Sequence, residues 1–254
     1  MPNQLLRGKS ALVTGGARRI GREIALTLAA AGADLTITYR NSRHEAATTA
    51  GALEDLGRRA LAVECDVRSE ASVHAAVAAT VAFHGRLDLV INNAAVFDSA
   101  PLDKITLEQW DAVFETNTRG PFLVAREALP HLRAVEGRIV NIGSLGGMRA
   151  WASHGHYCAS KAALHMLTQA MAKAFAPTVS VNCVAPGWID FEPTEPAALG
   201  IDPASADLAK RLRARTPMLR NGAASDVAQA ILFFAAGPAF ITGQILTVDG
   251  GLGL

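Results

Sequence analysis

The sequence has few cysteines and almost no net charge, and each shortage excludes a class of protein. Its three cysteines, Cys65, Cys158 and Cys183, are too few and too scattered for a disulfide framework or a metal site such as zinc. Unpaired thiols are typical of a reducing compartment, so we expect a cytoplasmic protein. The formal net charge of +1 gives no reason to expect nucleic acid or a membrane surface as a partner.

Long apolar runs are also lacking. The N-terminal segment has no extended apolar core, so a signal peptide is not expected. The most apolar late stretch, Val227 to Thr242, is short and is interrupted by Gln229, Gly237 and Pro238, which excludes a membrane span. A small molecule is therefore the expected partner.

What the sequence does contain is an alternation of short β-branched runs with helical patterns. Such alternation predicts parallel strands joined by right-handed helical crossovers. With 254 residues, half of them apolar, and no repeat or low-complexity linker, we expect one α/β domain over residues 1–254. Its fold would be a Rossmann-type, doubly wound, seven-stranded parallel sheet with helices on both faces. The predicted strands are Ala11–Thr14, Leu35–Tyr39, Leu61–Cys65, Leu87–Ile91, Ile139–Ile142, Val179–Val184 and Ile245–Val248.

One segment, residues 188–217, interrupts this alternation. It carries three prolines and a glycine before a short helical run, Ala204–Arg215. An insertion after a strand end is often a functional lid, and a plain surface loop is the alternative. Trp188 and Phe191 would either line a substrate pocket or anchor this loop.

The first predicted strand runs into a glycine-containing turn, Thr14–Gly21, which a helix follows. Glycines let backbone amides approach a pyrophosphate, and a helix N-terminus adds a favourable dipole. Simple close packing is the alternative, but the position in the first βα unit favours a dinucleotide site. The candidate contacts in this turn are Gly15, Arg18, Arg19, Ile20 and Gly21.

The end of the second strand distinguishes NAD from NADP. NAD enzymes usually carry an acid there for the ribose 2′-hydroxyl, whereas here Asp34 precedes the strand and should lie at the opposite edge. Arg40, together with Arg18, can pair with a 2′-phosphate, although two solvated arginines are the alternative. NADP(H) is the predicted cofactor. The residues at this strand end are Tyr39, Arg40, Asn41 and Ser42.

Tyr157 and Lys161 are the candidate reactive pair. They lie four residues apart at the start of a helical pattern that runs to Phe175, which puts both side chains on one helix face. A free tyrosine has a pKa of about 10. A neighbouring ammonium should lower that pKa towards the range that general acid–base catalysis needs. This spacing alone is common by chance.

Ser144 follows the fifth predicted strand and should lie at its carboxyl end, where open α/β sheets bind ligands. Its hydroxyl could hold a substrate oxygen as charge develops, or simply cap a turn. Asn117 stands four residues before Pro121 in the helical pattern Leu107–Arg133. Proline leaves the carbonyl of residue 117 without its helical partner, so we expect a kink and a bound water. That water would connect Lys161 to solvent, unless the kink serves packing alone.

Taken together, these motifs resemble the short-chain dehydrogenase/reductase family, in the family's order and over nearly the whole chain. The matching residues are Thr14–Gly21, Asp66 and Val67, Asn92–Ala95, Asn117, Ser144, Tyr157, Lys161, Pro186 and Gly187, Thr242–Gln244 and Asp249–Gly251.

The resemblance implies a role for each matching position. Tyr157 would be the general acid of a reduction, Ser144 would polarise the substrate oxygen, and Lys161 would depress the tyrosine pKa and hold the nicotinamide ribose. Asn117 would bind the relay water. The resemblance also implies a homo-oligomer, a tetramer or a dimer. The remaining cofactor contacts would be Asp66 and Val67 at the adenine, Asn93 and Ala94 at the ribose, and Pro186, Gly187 and Ile189 at the carboxamide.

Two positions depart from the family pattern: Arg19 replaces the middle glycine of the phosphate loop, and Ala95 replaces the last residue of NNAG. Arg19 and Phe97 resemble the pteridine reductase subgroup, which however carries Asp where this chain has Ser144. We therefore expect NADPH-dependent reduction of a carbonyl, on a ketone or a 3-oxoacyl-type substrate. Pterin reduction is the alternative.

A redox sensor that binds NADPH without turnover is a less favoured third reading, because such proteins tend to lose the reactive tyrosine or lysine. Two histidines that flank the tyrosine, His154 and His156, are expected to be solvated loop residues.

Overall fold

The computed structural model describes residues 4–190 and 203–254. Its strands are β1 Ser10–Val13, β2 Asp34–Tyr39, β3 Ala60–Glu64, β4 Leu89–Asn92, β5 Arg138–Ile142, β6 Ser180–Pro186, β7 Ile189–Asp190, β8 Gly222–Ala223 and β9 Ile245–Val248. Its helices are α1 Arg19–Ala30, α2 Arg43–Asp55, α3 Glu70–His84, α4 Leu107–Phe114, α5 Gly120–Arg133, α6 Gly155–Phe175, α7 Pro203–Arg215 and α8 Ala224–Ala236.

Seven of the strands form a parallel sheet in the order β3-β2-β1-β4-β5-β6-β9. All seven predicted strands are present, with ends that differ by at most two residues. Every residue of β1 and β4 is buried, because helices cover both faces of the sheet at its centre. The predicted doubly wound α/β fold is confirmed.

Each face of the sheet has its own apolar cluster. On one face, Ile24 and Leu28 of α1 pack with Ile231 of α8. On the other, Val77 of α3 and Leu132 of α5 pack with residues from α6. This arrangement leaves the carboxyl ends of the strands free to carry the loops that hold polar residues.

The predicted helical run Leu107–Arg133 is interrupted by a π-helical turn, Glu115–Arg119. Within it the N–H of Gly120 donates to the carbonyl of Glu115, five residues earlier. Pro121 has no N–H to offer the carbonyl of Asn117, so the normal spacing of four residues cannot continue. The expected kink is therefore a π-turn centred on Asn117.

The segment 188–217 is only partly described. β7 pairs in parallel with β8, a two-residue pairing too short to be predicted. The helical run predicted for Ala204–Arg215 corresponds to α7. Phe191 and the prolines that follow it lie outside the described residues, so the lid stays a prediction. Within the described ranges, none of the helices has the length and apolar character needed to cross a bilayer.

Candidate active site

The turn between β1 and α1 is built for close backbone approach. Gly15 has a φ of +63°, and a Cβ on Gly21 would lie 2.3 Å from the carbonyl oxygen of Gly15. The Asn93 side-chain amide donates to the carbonyls of Thr14 (2.9 Å) and Gly15 (3.0 Å). The Thr14 hydroxyl accepts the N–H groups of Asn93 and Ala94, both at 3.0 Å. The turn, called the glycine cradle below, and the end of β4 thus form one tightly packed unit.

Arg19 occupies the place of the family's middle glycine and adopts a left-handed φ of +52°, a conformation that usually favours glycine. Arg18 and Arg19 are both exposed at the start of α1, and Ile20 behind them packs on the core. Partial burial of its guanidinium, and to a smaller extent the neighbouring charge of Arg18, lowers the pKa of Arg19. Two consecutive cations therefore stand between Gly16 and Gly21 in this turn.

The turn after β2 is polar and carries no acid. Arg40 and Asn41 are exposed, and Ser42 immediately precedes α2. Asp34 is the first residue of β2, rather than preceding it, and accepts the N–H of Arg59 at 2.9 Å. It therefore lies at the amino edge of the sheet, as predicted. The candidate cofactor residues here are Tyr39, which is the last residue of β2, and Arg40, Asn41 and Ser42 after it.

Asp66 and Val67 follow β3 at the same edge. The Asp66 carboxylate accepts a bidentate pair of bonds from Arg68, at 3.0 Å from Nε and 2.6 Å from Nη2. The Arg68 hydrogen bonds hold the pKa of Asp66 below its usual range. Val67 is buried, and a Cβ on Gly120 would lie 2.9 Å from its Cγ2. Both carboxylate oxygens of Asp66 are therefore already engaged by Arg68.

Pro186, Gly187 and Ile189 lie at the carboxyl end of β6. The N–H of Gly187 donates to the carbonyl of Val248 at 3.0 Å. A Cβ on Gly187 would lie 2.7 Å from the Cβ of Asp249, so only glycine fits against the C-terminal turn. Ile189 is buried in β7. These residues border the same strand edge as the cradle.

Tyr157 and Lys161 lie in the first turns of α6 and are nearly inaccessible, with exposed fractions of 9% and 2%. The Lys161 ammonium donates to the carbonyl of Ile142, at the end of β5, at 2.7 Å, and lies 5.8 Å from the centre of the Tyr157 ring. Ser144 follows two residues after β5, and its hydroxyl accepts the N–H of Gly146 at 3.1 Å. The three candidate reactive groups therefore converge where β5 meets α6.

The pKa of Tyr157 moves in the opposite direction to the prediction. Burial raises it to about 12, and a hydrogen bond with Ser144 opposes the rise. The Lys161 ammonium is directed at the Ile142 carbonyl. Burial lowers the pKa of Lys161 to about 8. At neutral pH the phenol is protonated, which suits a proton donor rather than a base.

Asn117 holds the site together through its side chain. Its amide oxygen accepts the N–H of Val96 at 2.8 Å, and its amide nitrogen donates to the Val96 carbonyl at 2.9 Å and to Ser160 at 3.1 Å. Ser160 in turn donates to the carbonyl of Tyr157 at 2.7 Å. Asn117 thereby ties the loop after β4 to α6. The relay water on its backbone carbonyl stays a prediction.

His165 is a buried neighbour of the site that sequence reasoning missed. Its Nε2 accepts the N–H of Ser144 at 3.4 Å. Cβ atoms on Gly143 and Gly147 would lie 2.3 Å and 2.6 Å from this ring. Burial, with the charge of Lys161 adding to it, lowers the pKa of His165 to about 4. The only signal in the sequence was the pair of glycines near Ser144, Gly143 and Gly147, which leave room for the His165 ring.

The expectation that His154 and His156 are solvated is wrong. His156 is fully buried, with Nε2 3.3 Å from a carboxylate oxygen of Asp98, and His154 is half-buried. Asp98 was not singled out in the sequence, because a lone acid in a loop gives no local signal. The aromatic Phe97 beside it is 58% exposed and meets the Tyr157 ring edge-on at 4.8 Å.

Comparisons with known proteins agree with this geometry. A family model described as enoyl-(acyl carrier protein) reductase matches residues 15–253. The short-chain dehydrogenase/reductase FrzI of Cladobotryum sp is 36% identical over 259 residues, which cover 99% of this chain and 98% of the relative. The 3-oxoacyl-[acyl-carrier-protein] reductase FabG of Staphylococcus aureus is 34% identical over 247 residues, covering 96% and 98%.

A solved structure extends the agreement to three dimensions. A short-chain dehydrogenase from Burkholderia cenocepacia, determined in complex with NADP, superimposes with a TM-score of 0.88 and 40% identity, over 98% of this chain and 99% of that one. The chain is an oxidoreductase and belongs to the short-chain dehydrogenase/reductase family.

Proposed function

We propose that the protein reduces a carbonyl group with NADPH, and that Tyr157 donates the proton. The observation that carries this proposal is the buried, protonated phenol of Tyr157, placed with Ser144 and Lys161 at the carboxyl edge of the sheet. The bound nicotinamide would supply the hydride. The Ser144 hydroxyl orients the substrate oxygen and stabilises the charge that develops there. Lys161 holds the ribose and stabilises the phenolate left after proton transfer.

The residues present fit NADP(H) as the cofactor. A Cβ on Gly21 would clash with the Gly15 carbonyl and the Asn93 side chain, so this turn excludes side chains there and leaves its backbone for a pyrophosphate to pack against. No acid lies on the turn after β2, and the exposed Arg40 and Arg18 would pair with a 2′-phosphate. The NADP bound to the Burkholderia cenocepacia relative supports the same cofactor here. Asn93 and Ala94 would border the ribose.

Replacing Arg40 tests the cofactor assignment. A charge-assisted contact to the 2′-phosphate contributes about 1.5–3 kcal/mol, so Arg40→Ala should weaken NADPH binding about ten- to a hundredfold and leave NADH binding unchanged. The matched control is Arg43→Ala, which removes an exposed cation three residues later whose ion pair with Glu64 spans 3.7 Å. The measurement is the affinity of wild type and of both variants for NADPH and for NADH, obtained by titration. An Arg40→Ala variant that keeps the wild-type preference would overturn the assignment.

The rate of reduction should fall as the pH rises through about 8. Burial lowers the pKa of Lys161 to about that value, so the ammonium that stabilises the nascent phenolate loses its proton above it. Tyr157, with a pKa raised to about 12, stays protonated throughout this range. The measurement is kcat for reduction between pH 6.5 and 9.5, chosen around that value. A rate that increases with pH would contradict the assigned roles.

The substrate proposal rests on Ser144, which supplies the donor that a ketone oxygen needs. The likeness to FabG of Staphylococcus aureus supports a ketone or a 3-oxoacyl thioester. Pterin reduction is the second candidate, because the exposed Phe97 ring beside Tyr157 offers a flat surface for a fused-ring substrate. NADPH consumption in a panel of ketones, 3-oxoacyl thioesters and dihydropterins separates the candidates. Faster consumption with dihydropterins, abolished by Phe97→Ala, would reverse their order.

The assembly is proposed to be a homo-oligomer, with a tetramer favoured over a dimer. Light scattering at micromolar protein concentration tests this directly. We expect a mass close to four chains of 26.6 kDa, and a monomer would contradict the proposal without affecting the assignment of the active site.

A further inference from the structure

The loop that follows β4, residues 93–101, forms one side of the site and contains no helix or strand of its own. Its first half is fixed by Asn93 on the phosphate turn and by Val96 on Asn117. Its second half carries Phe97, whose exposed ring lies at the edge of Tyr157. Contacts with other elements must therefore determine where Phe97 stands.

Those contacts come from the residues just before Tyr157. The His154 ring donates through Nδ1 to the Asp98 carbonyl at 2.9 Å and stacks on Phe97 with 4.5 Å between ring centres. His156 reaches the Asp98 carboxylate at 3.3 Å. The N–H of Ala100 donates to the carbonyl of residue 153 at 2.9 Å. Two stretches that lie 56 to 58 residues apart in the chain are therefore joined next to Phe97, whose ring centre lies 4.8 Å from that of Tyr157.

The Asp98 carboxylate lies at the centre of these contacts and accepts several hydrogen bonds. It also accepts the N–H of Ser99 at 2.8 Å and the Gln109 side-chain amide at 3.0 Å. Gln109 belongs to the capping box at the start of α4, so the same carboxylate ties the loop to a second helix. Burial acts to raise the pKa of Asp98, but the hydrogen bonds from His156, Ser99 and Gln109 outweigh it and lower that pKa.

The protonation of His156 follows from its partner. An ionised carboxylate can only accept hydrogen bonds, so Nε2 of His156 carries the proton that it donates to Asp98. The other nitrogen, Nδ1, is buried and has no hydrogen-bond partner in the part of the chain that the structure describes. The fully buried His156 thus makes a directed hydrogen bond to the loop that carries Phe97.

We propose that Asp98, His154 and His156 form a latch that fixes Phe97 as a wall of the substrate site beside Tyr157. The three are positioning residues: they act on the substrate through the loop that they hold. The expected effect of the latch on kinetics rests on the proposed carbonyl reduction. Its effect on the position of the loop does not, because the contacts form in the folded chain without substrate. Both parts can therefore be measured separately.

Four variants test the latch. His156→Phe keeps a ring of similar shape but removes the donor, whereas His156→Gln keeps an N–H that can reach the carboxylate. Asp98→Ala removes the acceptor from a side chain that is one-third exposed, so folding should survive. Asp103→Ala is the matched control. Asp103 is an exposed acid next to the loop, and among the contacts described its carboxylate pairs only with Lys104, at 3.5 Å.

The first readout is hydrogen exchange of the amides of residues 96–101, which needs no substrate. His156→Phe and Asp98→Ala should speed exchange at the Ala100 amide about tenfold, the equivalent of one charge-assisted hydrogen bond. His156→Gln and Asp103→Ala should match wild type. Unchanged exchange in both disruptive variants, or equal acceleration in His156→Gln, would overturn the latch.

The second readout is steady-state kinetics on the best carbonyl substrate of the panel. We expect KM for that substrate to rise about tenfold in His156→Phe and in Asp98→Ala, with the affinity for NADPH unchanged. Because both substitutions break the same contact, the variant that carries both should show no further rise in KM. Rescue by His156→Gln is expected. Faster loop exchange without a change in KM would refute the role of the latch at the substrate site. If wild type reduces no carbonyl, the proposed function fails while the exchange result still decides the latch.

Discussion

Tyr157→Phe should lower the rate of carbonyl reduction about a thousandfold and leave the affinity for NADPH within about twofold of wild type. A positioned general acid contributes roughly a hundredfold to ten-thousandfold, and the phenol acts mainly in the transition state. The substitution keeps the ring, which contacts Phe97 edge-on and stacks on Trp151 at 6.2 Å between centres. The fold should therefore be unaffected.

The measurement is kcat with saturating NADPH, accompanied by cofactor titration and thermal unfolding. An unfolding temperature equal to that of wild type shows that any loss of rate is chemical. A variant that retains more than a tenth of the wild-type rate would contradict the role of Tyr157 as proton donor, and another donor would have to be sought at the site.

Ser144→Ala should lower kcat about a hundredfold, the typical loss when one donor to a developing oxyanion is removed. The alternative role of Ser144 is structural, since its hydroxyl accepts the N–H of Gly146. Ser69→Ala is the matched control, because the exposed Ser69 caps α3 by accepting the N–H of Ser72 at 3.3 Å and is not among the residues around the Tyr157 phenol. Loss of a cap costs about 1 kcal/mol of folding free energy in either variant.

The comparison between the two serines separates catalysis from capping. Both variants should unfold at slightly lower temperature, and only Ser144→Ala should lose turnover. If the two variants keep the same kcat, Ser144 is a turn residue and the substrate oxygen must be held by a different group.

The sheet and the positions of the polar motifs could be predicted because both depend on local sequence. Buried parallel strands such as β1 and β4 are mostly apolar, and glycine and asparagine residues stand at or just after their ends. Ser144 was assigned to the carboxyl edge of the sheet because it follows the fifth predicted strand, and open α/β sheets bind ligands at that edge. Even the break at Asn117 followed from Pro121, although its form, a π-turn, did not.

The rest depended on contacts between distant segments, which leave no periodic signal. Asp98 and His156 are 58 residues apart, and their partnership is visible only once α6 lies beside the loop after β4. The pKa of Tyr157 was mispredicted for a similar reason. Sequence placed an ammonium one helical turn away, but the degree of burial and the orientation of Lys161 towards Ile142 are tertiary features.

The most direct test of carbonyl reduction uses NADPH deuterated at the transferable position of the nicotinamide ring. Wild-type protein is incubated with the panel of ketones, 3-oxoacyl thioesters and dihydropterins, and the products are analysed by mass spectrometry and NMR. Reduction by hydride transfer with Tyr157 as proton donor predicts one deuterium on the carbinol carbon of a ketone or 3-oxoacyl product, and a hydroxyl proton from solvent. Label found only in a reduced pterin ring, or NADPH that binds but transfers no label to any carbonyl, would contradict it.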